Sequence, residues 1–276
     1  MDQLIRPLIL LTQQQFEGIS QEYFYGQQES ICFAAKVRKI RQNGSEDTRY
    51  LVITVACIYV IRSRYGKGIP ADEFNLVDIQ KVSYIQPNIV TFTTLDGKHS
   101  IPLTASIKSE YAQTIAQTIT ILNFVSDPSY NKENITIEST PVGQIHFPII
   151  KGRIPEILQI RTMQLAHKFG NRISFDALSC IADWDKNPNG PLKLTSSCNF
   201  GITAKPFIHA LAMETSLKSL ILNDFANSQL SKVLKAIFLN SKSLIKLSID
   251  EYKEPPSSAF DLISSDDSKI SEISFK

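Results

Sequence analysis

Residues 89–124 read IVTFTTLDGKHSIPLTASIKSEYAQTIAQTITILNF, and the period of the apolar residues changes partway through. In 89–103 two β-rich runs flank Asp96-Gly97, a dipeptide suited to a tight turn between antiparallel strands. From Ser106 onward the apolar residues Ile107, Tyr111, Ile115, Ile119 and Leu122 recur every three or four positions, which is one stripe of a helix. Ala112 and Ala116 flank the stripe and allow close packing, and Ser106 is a candidate cap. The chain therefore switches here from strands to a single amphipathic helix.

Upstream, from about Glu29 to Leu103, short β-rich runs alternate with turn chemistry. In SICFAAKVRKI (30–40), Ile31, Phe33, Ala35 and Val37 share one face. QNGSED (42–47) is a turn by composition. RYLVITVACIYVIRSR (49–64) is rich in Val, Ile and Tyr and long enough for two strands. SRYGKGIPADE (63–73) is a loop, and FNLVDIQKVSYI (74–85) alternates again through Leu76, Ile79, Val82 and Tyr84. The order is about seven short strands and then one helix. With its basic first hairpin, its TTLDGKHSIPL hairpin and its closing helix, the segment 18–125 resembles the pleckstrin-homology (PH) domain. That architecture is a bent seven-strand sheet closed at one end by a C-terminal helix. The helix stripe has no Trp, the chain's single one being Trp184, so the resemblance implies a divergent PH-like barrel.

Residues 126–153 hold Pro128, Pro141, Pro148 and two glycines, and are expected to be a linker with room for one short strand. After it a pattern recurs: apolar, two others, apolar, one other, apolar. Ile160, Met163 and Leu165 fit it, as do Leu217, Leu220 and Leu222, then Leu244, Leu247 and Ile249, then Ile270, Ile273 and Phe275. Leu192 and Leu194 fill its last two places. The five units are about 26–29 residues apart, the leucine-rich-repeat range. Helix-like segments lie between them, through Phe175, Leu178 and Ile181, through Phe207, Ile208, Leu211 and Ala212, and through Leu230, Val233, Leu234, Ile237 and Phe238. The expected fold is thus multidomain: a PH-like β-barrel with a C-terminal closing helix, then over 154–276 an α/β leucine-rich-repeat solenoid. The alternative is an ordinary α/β domain with evenly spaced strands, since Phe225 and Tyr252 stand where such repeats carry Asn. The last unit ends on a strand without a polar cap, which suggests a fragment of a longer protein or an end that meets a partner.

A PH-like domain, a linker and leucine-rich repeats in that order resemble the N-terminal half of the CARMIL family, membrane-associated regulators of actin capping protein. The resemblance implies a PH-like domain on anionic membrane and repeats that form an interaction surface. Nothing in these residues matches the family's capping-protein-binding tail.

The chain has 276 residues, 43% hydrophobic and 20% charged, with a formal net charge of +2. That balance is globular and excludes a polycation built for nucleic acid. There is no basic n-region or cleavage site at the N-terminus, and no apolar run of membrane-spanning length. A cytoplasmic location, peripheral to the plasma membrane, is expected. Cys32, Cys57, Cys180 and Cys198 have no metal or redox spacing and read as buried thiols. His99, His146, His167 and His209 sit in no metal or nucleophile motif. Asp183 and Asp185 flank Trp184 at a spacing that would not hold two carboxylates face to face, and a solvated loop is expected there. No enzyme activity and no cofactor are expected. The rival reading, a hydrolase within 154–276, would need a deep pocket lined by convergent polar groups.

Charge clusters in one place. KVRKIRQNGSEDTRYLVI (36–53) carries Lys36, Arg38, Lys39 and Arg41 on one flank of the turn and Arg49 on the other, with Arg62, Arg64 and Lys67 beyond. PH domains that grip phosphoinositides set a Lys near the end of the first strand and two basic residues at alternating positions in the second. Here Arg49 alternates with Asp47, beside Glu46, so the resemblance implies loose attraction to anionic lipid rather than a headgroup pocket. Homodimerisation would strengthen it. The competing reading is that these residues only solubilise a hairpin edge. The repeats would offer a face including Lys218, Ser219 and Ile221, or Ile245, Lys246 and Ser248, to an unidentified protein partner. A scaffold with no lipid contact is the alternative function.

Overall fold

The computed structural model describes residues 5–24, 29–41, 43–62, 72–94, 100–104, 109–126, 135–146, 156–171, 173–198, 205–207, 209–211, 213–224, 234, 237, 243–250 and 270–275. Chain contacts divide it into two units, Met1–Ile150 and Lys151–Lys276. Among the described residues no helix is long and apolar enough to cross a membrane.

The first unit opens with a short strand, β1 (Leu8–Ile9), and helix α1 (Gln13–Tyr23). Thr12 starts α1 with a reciprocal capping box. Its Oγ1 accepts from Gln15 N at 3.3 Å, while Thr12 N donates to Gln15 Oε1 at 3.1 Å. Next come β2 (Ile31–Ile40), β3 (Glu46–Thr54), β4 (Cys57–Arg62), β5 (Asp72–Asn75), β6 (Ile79–Ile85), β7 (Ile89–Thr94), β8 (Ser100–Thr104) and α2 (Ser109–Ser126). The strands lie in the order β5-β4-β3-β2-β8-β7-β6, every neighbouring pair antiparallel. Seven strands and then a helix is the order read from the sequence.

The two faces of this sheet bury different partners. Ile19 and Phe24 from the α1 region pack on Ala34, Tyr50, Val52, Cys57, Tyr59 and Ile61, with the Phe24 and Tyr59 rings edge-to-face at 4.9 Å. The alternate residues Phe33, Leu51, Ile53 and Ile58 are fully buried, as are Phe92 and Ile115. Helix α2 packs against β6 and β7 through a stripe of Ala112, Ile115, Ala116, Ile119, Leu122 and Val125, all buried. The stripe is rotated slightly from the expected one, leaving Tyr111 half-buried. Asn123 Nδ2 fixes the helix by donating to the Leu76 and Ile79 carbonyls at 2.7 and 3.1 Å. The Asp96-Gly97 turn lies outside the described residues.

The segment expected as a linker contributes to this first unit. Its short strand is present as β9 (Thr136–Thr140), parallel to β6, so the sheet path ends on β5 at one side and β9 at the other. Gln113 and Gln117 on α2 then hold the segment after β9, donating to the Gln144 and His146 carbonyls at 2.7 Å each. Proline content pointed to a linker with room for one short strand. A five-residue strand laid on an existing edge needs little apolar alternation, so composition does not say which edge it joins.

The second unit begins with two helices, α3 (Ile157–Phe169) and α4 (Phe175–Lys186). This corrects the first expected repeat: Ile160, Met163 and Leu165 lie on α3, not on a strand. The run Gln159 to Lys168 is rich in good helix formers, and Gly170 ends it at φ 62° with Asn171 N donating to the Ala166 carbonyl at 2.9 Å. Asp183 and Asp185 also lie on a helix rather than in a solvated loop. Asp183 is exposed and pairs with Lys186 at 3.0 Å, whereas Asp185 is buried and accepts from Gln159 N at 3.1 Å. Trp184 is buried between them and donates from Nε1 to the Gly190 carbonyl at 3.0 Å.

The other four units form one parallel sheet, β10 (Leu192–Thr195), β11 (Ser219–Asn223), β12 (Lys246–Asp250) and β13 (Glu272–Phe275), in chain order. The repeat positions align across it: Leu192, Leu220, Leu247 and Ile273 form one row, and Leu194, Leu222, Ile249 and Phe275 the next. Leu192, Leu194, Leu220, Leu222, Leu247 and Ile249 pack with Leu158, Ile181, Trp184, Phe207, Leu211, Leu234 and Ile237. The expected helix positions Ile208, Ala212, Leu230, Val233 and Phe238, and the Asn-replacing Phe225 and Tyr252, lie outside the described residues. Among the described residues the fold is α/β, with one mixed sheet and one parallel sheet.

Candidate functional site: the basic hairpin

Strand residues alternate between faces, and pairing across β2, β3, β4 and β5 assigns each cation to one of them. Val37 pairs with Arg49 and Arg49 with Arg62; Lys39 pairs with Asp47; Val60 pairs with Asp72. Lys39, Arg49, Arg62, Asp47 and Asp72 therefore lie on one side. Lys36 pairs with Tyr50 and Arg38 with Thr48, placing these two cations on the face that α1 partly covers. Arg41 comes just after the end of β2 and turns toward Asp47. The sequence placed all of these in one cluster. The structure splits six of them between two faces, and Arg64 and Lys67 lie outside the described residues.

Each face carries its own carboxylates. Asp47 accepts from Arg41, through both Nε at 2.7 Å and Nη2, and from Arg49 Nη2 at 3.0 Å. Lys39 reaches Asp72 at 2.9 Å, and Arg38 reaches Glu46 at 2.9 Å on the other face. Lys36 and Arg62 are exposed. The hairpin itself, residues 36–49, carries Lys36, Arg38, Lys39, Arg41 and Arg49 against Glu46 and Asp47, a formal excess of three positive charges. Arg49 is the least free, with its side chain 15% exposed and its Nε buried without a partner among the described residues. Arg38 and Arg41 keep 57% and 55% of their side chains exposed, so solvent and salt screen their ion pairs.

The hydrogen bond from Arg41 holds the Asp47 carboxyl below the usual carboxylate range, helped by the charges of Arg41, Arg49 and Lys39 and opposed by partial burial. A carboxyl depressed in the folded state contributes stability above its unfolded value of about 3.9. That contribution disappears as pH falls through the lower folded value. A carboxyl-carbon NMR titration is expected to give Asp47 a midpoint below about 3.9. A midpoint at or above that value would break the Arg41–Asp47–Arg49 arrangement.

A second candidate surface is the other face of the parallel sheet. Its rows run Ser219, Lys246, Glu272; Lys193, Ile221, Ser248, Ser274; and Thr195, Asn223, Asp250. Lys193, Lys246 and Glu272 are exposed. Lys246 and Glu272 pair at 2.5 Å, and Ser274 Oγ donates to Ser248 Oγ at 2.9 Å, which in turn donates to Asp250 at 2.8 Å. Of the expected positions, Ser219, Ile221, Lys246 and Ser248 lie on this face, while Lys218 and Ile245 are exposed just before their strands. Asp72 was visible in SRYGKGIPADE, but its role depends on β5 pairing with β4, which no local pattern encodes.

No protein-family model and no curated protein sequence matches the chain. Among solved structures, the hSac2 domain from human phosphoinositide phosphatase Sac2 is similar at 12% identity and a TM-score of 0.34, covering 52% of this chain and 99% of that one. The C-terminal domain of an unknown protein from Leishmania infantum is similar at 12% identity and a TM-score of 0.31, covering 38% and 96%. The linker-DH/PH domains of p115-RhoGEF are similar at 6% identity and a TM-score of 0.30, covering 42% and 37%. At these scores the likenesses establish neither fold family nor function.

Proposed function

We propose that this chain is a non-catalytic, two-module adaptor. Its first unit is a PH-like module that meets anionic membrane through the β2–β3 hairpin, and its second is a leucine-rich-repeat-like module that offers its polar sheet face to a protein partner. The observation that carries the reading is the excess of three positive charges on the hairpin, with Lys36, Arg38 and Arg41 exposed on it and Arg62 exposed beside it. At about 1 kcal/mol per basic residue near an anionic surface, this excess supplies about 3 kcal/mol, and salt screens it. That is enough to bias location and too little for a headgroup pocket. The order of modules supports a place beside the CARMIL family, with a role in actin assembly at the membrane.

The test is co-sedimentation of the full chain with phosphatidylserine-containing and with neutral vesicles. Binding only to the anionic vesicles, reduced by about an order of magnitude or more in a Lys36→Glu, Arg38→Glu pair with unchanged circular dichroism, is expected. Equal binding to both vesicle types, or none at low salt, would remove the membrane part. The four hairpin ion pairs favour one second reading, a protein-interaction scaffold with no lipid contact. Absence of vesicle binding with the fold intact would select it.

A further inference from the structure

Two of the four cysteines, distant in sequence, meet in the second unit. Cys180 lies on α4, and Cys198 lies in the short turn after β10. Their Sγ atoms are 3.9 Å apart, although the residues are 18 positions apart in the chain. The same turn is tied to the start of α4 by Ser174, whose Oγ caps the helix by accepting from Ala177 N at 3.2 Å and donates to the Cys198 carbonyl at 2.9 Å. The two sulfurs are thus held on neighbouring backbones already fixed to each other. Cys198 is fully buried in the apolar core and Cys180 is half-buried, so Cys180 is the more accessible residue of the two.

We propose that Cys180 and Cys198 are a reversible dithiol–disulfide site, oxidised by low-molecular-weight disulfides of the glutathione class. A disulfide bond is about 2.05 Å long, so the sulfurs must close by about 1.9 Å to form it. Cys180 loses its proton to water, and its thiolate attacks one sulfur of the reagent disulfide. An S–S bond to the reagent forms, the reagent's own S–S bond breaks, and one reagent thiolate leaves. Cys198 then loses its proton and attacks the Cys180 sulfur, forming the protein disulfide and expelling the second reagent thiolate. The two leaving thiolates take up two protons; two electrons pass from the protein to the reagent. The bridge ties α4 to the turn after the first parallel strand.

The other two cysteines are differently placed. Cys57 Sγ donates to the Phe74 carbonyl at 3.1 Å, and Cys32 is buried in β2. Burial pushes the Cys180 thiol up to about 11, with Cys198, Asp176 and Asp183 adding to the shift. The small thiolate fraction slows the first attack at neutral pH. This site is independent of the adaptor reading and survives its failure.

The test is incubation of the native full chain with oxidised glutathione at mildly alkaline pH, then intact mass and peptide mapping without reduction. Loss of two hydrogens, with the 180- and 198-containing peptides linked and the link undone by dithiothreitol, is expected. In Cys198→Ser the same treatment should stop at a stable glutathione adduct on Cys180. Wild-type chain that keeps both thiols, or that accumulates a lasting adduct on Cys180 without closing the bridge, would overturn the proposal. The wild-type map decides even if the variant fails to fold.

Discussion

Phe92→Ala is expected to destabilise the first unit by about 3–5 kcal/mol. The Phe92 side chain is fully buried on β7, and its ring stands edge-to-face with Phe74 at 5.2 Å. It faces inward with Val82 and Val90, on the strands against which α2 packs. Truncation removes a large apolar surface, forfeits the ring contact and opens a cavity that a sheet held by ladders on both sides cannot collapse to fill. Urea unfolding monitored by far-ultraviolet circular dichroism reads the loss as a lower midpoint with an unchanged slope. A loss under about 1 kcal/mol would mean that the strand is not buried as described.

Leu220→Ala is expected to cost about 2–5 kcal/mol in the second unit. Leu220 is fully buried, in the row Leu192, Leu220, Leu247 and Ile273. β11 lies between β10 and β12, so a void there weakens packing toward both. Trp184 belongs to the same apolar cluster and is the chain's only tryptophan, so its fluorescence reports this unit directly. The neighbouring Ile221→Ala change, on the opposite face of the same strand, is expected to cost under about 1 kcal/mol. Equal losses at the two positions would contradict the assigned faces.

Features of the fold were legible in the sequence where the forces behind them are local. The change of period near Ser106 exposed α2 and the strands before it, because a helix stripe and a strand alternation are properties of a few consecutive residues. The parallel sheet was legible through recurrence, since an apolar residue returns at the same two places of each strand. The first repeat failed because Ile160, Met163 and Leu165 satisfy a helix as readily as a strand, and the helix formers around them decide the matter. Helix α1 had a readable sign, Thr12 with Gln15 three residues later, although only the fold shows what it covers.

The candidate site was legible as composition and not as geometry. The sequence gathered Lys36, Arg38, Lys39, Arg41 and Arg49 and warned of Glu46 and Asp47. It could not divide the cations between faces, because that depends on the register of β2 with β3 and of β3 with β4. It also could not bring Asp72 to Lys39, or Cys198 to Cys180, since each meeting is made by chain segments far apart.

If, as proposed, the net positive charge of the hairpin sets an affinity for anionic surfaces, Asp47→Asn raises that affinity by adding to the excess. The substitution removes one negative charge and releases Arg41 and Arg49 without altering any cation. Vesicle affinity measured at low and at high salt should rise about fivefold over wild type at low salt, the equivalent of about 1 kcal/mol, and the two proteins should converge as salt increases. Unchanged affinity in a folded Asp47→Asn chain, or a gain that persists at high salt, would contradict the account.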